Sequence, residues 1–259
     1  MTRSMATRMS AAGRTFALAA ALLLGVAAAQ AQQADVREKV LPRVARVEAS
    51  EPGDGRVEQA SGFVIDRYNR LVLTSCRVLF AKRETLSIEV VFAGSPSVKR
   101  AATALLCNPA LDLTVVHVRA FDIEFPRPIN PSSASRTWPG DVLYALGFAA
   151  GTPTLVPVTV DVADTELPGL PGRFVGTRSK PSAGAPDLED ALRNLAELAG
   201  GPLVSAQGDL VGINAFSSGE RMKDAASGAD LGAVPKGTYF ARTVESFAPL
   251  LREILRIRP

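Results

Sequence analysis

The sequence predicts an all-β protein made of two packed six-stranded antiparallel β-barrels, closed by a C-terminal α-helix. Three observations carry this prediction. Short apolar segments, many rich in valine, recur along the chain with turn residues between them. A proline-rich stretch, Asp122–Pro139, divides these segments into two sets of six. The chain then ends on an apolar stripe at helical spacing. A length of 259 residues is enough for two modest cores. With 47% hydrophobic and 21% charged residues, the composition is that of a globular protein and excludes a disordered or coiled-coil chain.

The N-terminus is an exception to the strand pattern. Arg3, Arg8 and Arg14 precede an apolar run from Phe16 to Ala29, and Ala29-Gln30-Ala31 follows as a small-x-small cleavage pattern. A basic segment, a short apolar segment and such a site read as a secretory signal peptide over residues 1–31. The apolar run is short for a bilayer span, which needs roughly 20 residues. The expectation is therefore export, cleavage after Ala31, and a periplasmic or secreted mature chain with no membrane span. This segment also accounts for the basic isoelectric point of about 9.1. It holds three arginines and no acid, so taking three from 29 leaves 26 basic residues against 26 acidic ones. A formally neutral mature chain argues against a nucleic-acid binder whose affinity comes from net charge.

The first set of candidate strands covers residues 43–49, 59–66, 70–75, 86–92, 100–107 and 112–118 and places a first barrel over residues 32–121. The connection at 122–140 carries Pro126, Pro128, Pro131 and Pro139. Proline has no N–H for a sheet ladder, so this segment reads as a linker. The second set covers 141–148, 154–162, 172–177, 202–206, 209–217 and 237–241, within a second barrel at 141–243. Phe247, Leu250, Leu251, Ile254 and Leu255 form the stripe of a closing helix at 244–259. Arg252, Arg256 and Arg258 suit the negative end of its dipole. Pro168–Pro186 and Ser217–Gly237 read as exposed loops.

Three stretches in order resemble the trypsin-like serine proteases, particularly their HtrA branch. The first is Ala60-Ser61-Gly62-Phe63-Val64-Ile65-Asp66 followed by Leu71-Val72-Leu73-Thr74-Ser75-Cys76-Arg77-Val78. It is similar to the strand pair leading to the family's Thr-x-x-His-Val segment. The second, Asn108-Pro109-Ala110-Leu111-Asp112-Leu113-Thr114-Val115-Val116, resembles the segment bearing the orienting aspartate. The third, Gly200-Gly201-Pro202-Leu203-Val204 with Gly208-Asp209-Leu210-Val211-Gly212-Ile213-Asn214, resembles the turn that holds the nucleophilic serine and the strands after it. Pro139-Gly140-Asp141-Val142 through Gly147 is similar to the opening strand of the second barrel. The resemblance covers about residues 40–255 and implies the two-barrel fold by an independent route. The HtrA branch commonly adds a PDZ domain; the expectation here is of none.

The resemblance also implies a triad, and its chemistry fails at two of three positions. The general base falls on Arg77, whose guanidinium has no lone pair to accept a proton. The nucleophile falls on Ala199, which has no hydroxyl. Only the orienting acid is kept, as Asp112. Where the family has a glycine in the oxyanion turn, this chain has Glu197. The run Asp187–Ala199 is built of strong helix formers, and is expected to replace the catalytic loop with a helix. His117, the one histidine, lies five residues beyond Asp112, on the opposite face of a strand and about 16 Å away; it reads as an ordinary strand residue. In the histidine slot, Arg77 can reach Asp112 and pair with it; the alternative is Arg77 in solvent and Asp112 bonded to backbone or water.

Cys76 and Cys107 form an even pair in an oxidising compartment, so either a disulfide or two buried thiols is expected. A reactive Cys76 lacks a nearby histidine to activate it. Lys82, Lys99, Lys180, Lys223 and Lys236 are the possible partners of a Ser-Lys dyad, but nothing sets one of them in an apolar pocket beside a serine. No cofactor and no metal site is expected. The resulting expectation is an exported, catalytically inactive relative of the peptidases, a pseudoprotease, that binds a peptide or protein partner in the cell envelope. The alternatives are an active HtrA-like endopeptidase with a non-standard site, and a purely structural envelope component.

Overall fold

The computed structural model describes residues 11–51, 53, 57–79, 86–119, 125–132, 136–179, 197–217, 219–223 and 229–256. The chain divides into two compact units, residues 1–35 and 36–259. Residues 11–35 of the first unit belong to helix α1 (Ala11–Val40). Among the described residues no helix is long and apolar enough to cross a membrane.

The second unit holds two closed barrels. Strands β1 (Val44–Ser50), β2 (Val57–Asp66), β3 (Leu71–Thr74), β4 (Ser87–Phe92), β5 (Lys99–Asn108) and β6 (Leu113–Val118) close in the order β1-β2-β3-β6-β5-β4. Strands β7 (Val142–Ala149), β8 (Thr152–Glu166), β9 (Arg173–Ser179), β10 (Pro202–Val204), β11 (Leu210–Phe216) and β14 (Thr238–Thr243) close in the order β10-β11-β14-β9-β8-β7. All pairings within the barrels are antiparallel. The C-terminal helix α2 (Val244–Arg256) begins directly after β14.

The valine-rich runs have a simple cause. Side chains alternate along a strand, and here both faces of several strands are buried. Val64, Val72 and Val116 fill the interior of the first barrel. Their neighbours Phe63, Leu71, Leu73 and Val115 point the other way, into a core shared with Tyr144, Leu146 and Ile213 of the second barrel. Val36 and Val40 join that core at the end of α1, as do Val244, Phe247 and Ile254 of α2. The side chain of Leu255 lies outside the described residues.

Three features depart from the sequence reading. Strand β8 continues past 162 to Glu166, because register shifts between Val160 and Val162 and between Val162 and Thr165 absorb the change in pairing with β9. The segment 217–237, expected as loop alone, contains a two-stranded hairpin of β12 (Arg221–Lys223) and β13 (Asp230–Ala233). The proline-rich connection also does more than link. Phe125 and Ile129 are buried, Leu210 donates to the carbonyl of Asn130 at 2.7 Å, and Ser132 donates to that of Leu210 at 2.7 Å.

Candidate functional site

Strand β3 leads through Ser75 into a 3-10 turn, Cys76–Leu79. Facing it is the turn before β6, in which Asn108 Oδ1 accepts from Leu111 N at 3.1 Å and Asp112 N–H donates to Pro109 at 3.1 Å. Asp112 has φ 51°, a left-handed conformation that aspartate tolerates better than most residues. Two links tie these turns together. Cys76 N–H donates to the carbonyl of Asp112 at 3.2 Å, and Cys76 is joined to Cys107 by a disulfide with Cα atoms 5.6 Å apart. There is no free cysteine.

This scaffold positions the Asp112 carboxylate, whose side chain is 18% exposed. Oδ1 accepts from Ser75 Oγ at 2.8 Å and from Arg77 N at 3.2 Å. Oδ2 pairs with Arg77 Nε at 2.9 Å. Burial pushes the Asp112 carboxyl above its ordinary range, while Arg77 and the Ser75 hydrogen bond act against that rise.

Arg77 reaches beyond its own barrel. Its Nη2 donates to the carbonyl of Ala215 at 3.0 Å, its Nη1 pairs with Glu220, and the guanidinium carbon lies 5.4 Å from the centre of the Phe216 ring. The other Glu220 oxygen accepts from Ser217 N at 2.9 Å and Ser217 Oγ at 3.2 Å. Glu220 is placed by a tight turn in which Glu220 N–H donates to Ser217 at 3.1 Å, and Gly219 at φ 77° supplies the left-handed residue such a turn requires. Neither Ser75 nor Glu220 stood out in the sequence. Behind Phe216, its ring centre 6.0 Å away, is Phe174, and Arg242 lies over Phe174 at 4.6 Å. Arg242 is only 1% exposed. Its Nη1 donates to Pro171, and its Nε has no partner among the described residues. Burial lowers its pKa to about 10, with the charge of Asp112 opposing.

Ala199 sits on the same side of the second barrel. The carbonyls of Glu197 and Ala199 accept from Ser61 Oγ at 3.3 Å and Ser61 N at 3.0 Å. The Glu197 carboxylate accepts from Ala150 N–H. Gly200 (φ 84°) packs so closely that a Cβ there would lie 2.3 Å from the carbonyl oxygen of Ser61 and 2.7 Å from Ser75 N. That approach brings the Ala199 turn against the Arg77 turn. Beside Ala199 is a pocket lined by Thr177, Asn214, Ala215, Phe216, Ser217 and Tyr239. Its volume is about 20 Å³, room for about one water molecule.

The cluster therefore brings together Arg77, Asp112 and Ala199, the three positions singled out in the sequence, with Glu197 one turn away. It pairs the Arg77 guanidinium with the Asp112 carboxylate and sets the Ala199 turn against the turn that carries Arg77. Ser75, the hydroxyl bonded to Asp112, is 3% exposed. His117 stands away from the cluster, opposite Leu71 and Thr103 in the sheet; burial and the nearby Arg70 and Arg119 hold its pKa below the ordinary value. Lys99 is engaged with Glu48 at 2.7 Å and Glu89 at 2.8 Å, which raises its pKa, and Lys236 is exposed. Lys82, Lys180, the Lys223 side chain and most of the helix expected at 187–199 lie outside the described residues.

A family model described as a trypsin-like peptidase domain matches residues 60–213. No curated protein is significantly similar in sequence. Solved structures similar to this chain include two of the HtrA-type protease AlgW with a tripeptide, one of them a serine-to-alanine variant. Each is 20% identical with a TM-score of 0.63; 87% and 86% of this chain is covered, and 64% and 63% of theirs. The chain thus spans less than two thirds of those proteins' length, and the likeness is one of fold.

Proposed function

The chain belongs to the trypsin-like peptidase domain family, and from that premise we propose that it is a pseudoprotease, an exported member that binds peptide without cleaving it. One observation carries the reading. The position of the general base is filled by Arg77, whose guanidinium is bonded at Nε, Nη1 and Nη2. Acyl transfer needs a group there that takes a proton from the nucleophile and returns it to the leaving amine. Arginine does neither, and Ala199 offers nothing to deprotonate. Putting a hydroxyl back at 199 alone leaves it without a base.

Binding is the property such a site retains. Beyond Asn214 the end of β11 is paired with β14 but not with β10, and an extended chain can add to a strand edge of that kind by main-chain hydrogen bonds. The tripeptide in the AlgW structures is the kind of ligand this implies. Recognition of this kind rests on backbone and polar contacts along the strand. Export follows from the basic segment, apolar run and Ala29-Gln30-Ala31 at the N-terminus, and places the partner in the cell envelope. The experiment is anisotropy of a fluorescent, reduced and alkylated polypeptide mixed with the purified mature chain, followed by mass analysis of that polypeptide. Saturable binding with the ligand intact is expected; an intact ligand that never binds would rule the reading out.

A further inference from the structure

Glu220 does more than fill space just past the end of β11. Its two oxygens are held by Arg77 Nη1 on one side and by Ser217 N at 2.9 Å and Ser217 Oγ at 3.2 Å on the other. A guanidinium, a backbone N–H and a hydroxyl converging on two oxygens make a complete carboxylate cradle, with the charge-assisted bonds that recognise such a group. The cradle is rigid on its Arg77 side. Asp112 fixes Nε at 2.9 Å, the Ala215 carbonyl fixes Nη2 at 3.0 Å, and the Phe216 ring lies 5.4 Å from the guanidinium carbon. On the other side, the Glu220 side chain is 26% exposed.

The occupant also takes main-chain groups that peptide addition needs. Ser217 N–H is bonded to Glu220 and the Ala215 carbonyl to Arg77, at the end of β11. An extended peptide docking there meets a strand whose hydrogen-bonding groups are already engaged by the chain's own side chains.

We propose that the Arg77–Ser217 cradle is the docking site for a carboxylate on the bound peptide, and that Glu220 occupies it as an internal substitute in the resting protein. This rests on the peptide-binding reading above and names its ligand class: an extended peptide with an acidic side chain, or a free C-terminus, placed to replace Glu220. Ligand entry swings Glu220 out, gives the Arg77 Nη1 and Ser217 Oγ donors to the incoming carboxylate and leaves Ser217 N–H to the peptide's main chain. A substitute tethered only three residues from Ser217 competes at high effective concentration, so it lowers apparent affinity by the fraction of time it holds the site.

The test compares the full mature chain with Glu220→Gln, with Glu220→Ala as a second variant, each checked for an unchanged melting profile. The probes are fluorescein-labelled peptides of alternating valine and threonine. One carries a central glutamate with an amidated C-terminus, one a central glutamine with the same end, and one a central glutamine with a free C-terminus. Removing the internal carboxylate should tighten at least one of the two carboxylate peptides by about tenfold, as expected if Glu220 holds the site about nine-tenths of the time. The glutamine amide should change by less than about twofold; which carboxylate peptide gains distinguishes side chain from chain end. Equal gains for all three peptides, or weaker binding by the variants, would overturn the cradle while leaving peptide binding intact. Binding by neither the parent nor the variants would remove the peptide-binding reading and the cradle together.

Discussion

Replacing Arg77 by alanine should destabilise the protein most near neutral pH, and the structure gives the size of the effect. Breaking a fully buried ion pair from one side costs about 3–5 kcal/mol, whereas exposed pairs contribute about 0–1 kcal/mol. Here Asp112 is 18% exposed and Arg77 34%, which places the loss between those limits, at about 2 kcal/mol. For a protein of this size that corresponds to a fall in melting temperature of about 4–8 °C. Burial already raises the Asp112 pKa, and the Arg77 charge is the strongest influence opposing that rise, so the variant's Asp112 takes up its proton at higher pH than the parent's. A carboxyl raised in the folded state contributes stability that is fully present below its unfolded pKa and is lost as pH rises through its folded pKa. The window therefore opens just above the ordinary carboxylate value of 3.8 and extends further upward in the variant. Urea melts of Arg77→Ala and parent should differ by about 2 kcal/mol at neutral pH and by clearly less as pH falls to the ordinary carboxylate value of 3.8, because the raised carboxyl gains its proton on the way. Adding Asp112→Asn to Arg77→Ala should recover much of the neutral-pH loss, since no buried charge is then left behind. A melting temperature indistinguishable from the parent, or a loss independent of pH, would refute the reasoning.

Other perturbations probe the same scaffold. Changing both Cys76 and Cys107 to serine opens a loop whose ends are 31 residues apart and should cost about 3–4 kcal/mol on the chain-entropy account, read as a lower midpoint in denaturant; a shift too small to detect would mean that the bridge is not formed in the isolated protein. Gly200→Ala combines a left-handed backbone with a Cβ 2.3 Å from the Ser61 carbonyl oxygen and should leave little folded protein by circular dichroism; near-parental melting would show that the Ala199 turn is placed differently. Ala199→Ser should bring no peptidase activity against an unfolded substrate, because Arg77 still fills the base position; turnover by this variant would mean that another group serves as base.

The sequence made the barrels legible because their strands obey a local rule. Val64, Val72 and Val116 share one face and Phe63, Leu73 and Val115 the other, so the apolar runs mark the strands of the first barrel within a residue or two. Short pairing without a core face is harder to read. The hairpin of Arg221–Lys223 with Asp230–Ala233 is too brief, and Gly232 too atypical of a strand, to stand out from its loop. The site divides in the same way. Arg77, Asp112 and Ala199 can be placed because each lies in a recognisable segment, and the ion pair between the first two follows from placing an arginine next to a carboxylate. Glu220 is 143 residues from Arg77, and the contact exists only once the second barrel brings its hairpin to the first. The burial of Arg242 is hidden for a similar reason: an arginine in a strand reads as solvated, and only the Phe174 ring packed against it shows otherwise.

Cleavage of a quenched-fluorescent unfolded protein by the purified mature chain, beside an Asp112→Asn control, tests the central claim most directly. On the proposed reading, which puts Arg77 and Ala199 at the base and nucleophile positions, both proteins should be folded and should release fluorescence no faster than buffer. Turnover above buffer that disappears in Asp112→Asn would contradict the account, because it would mean that this cluster is a working active site.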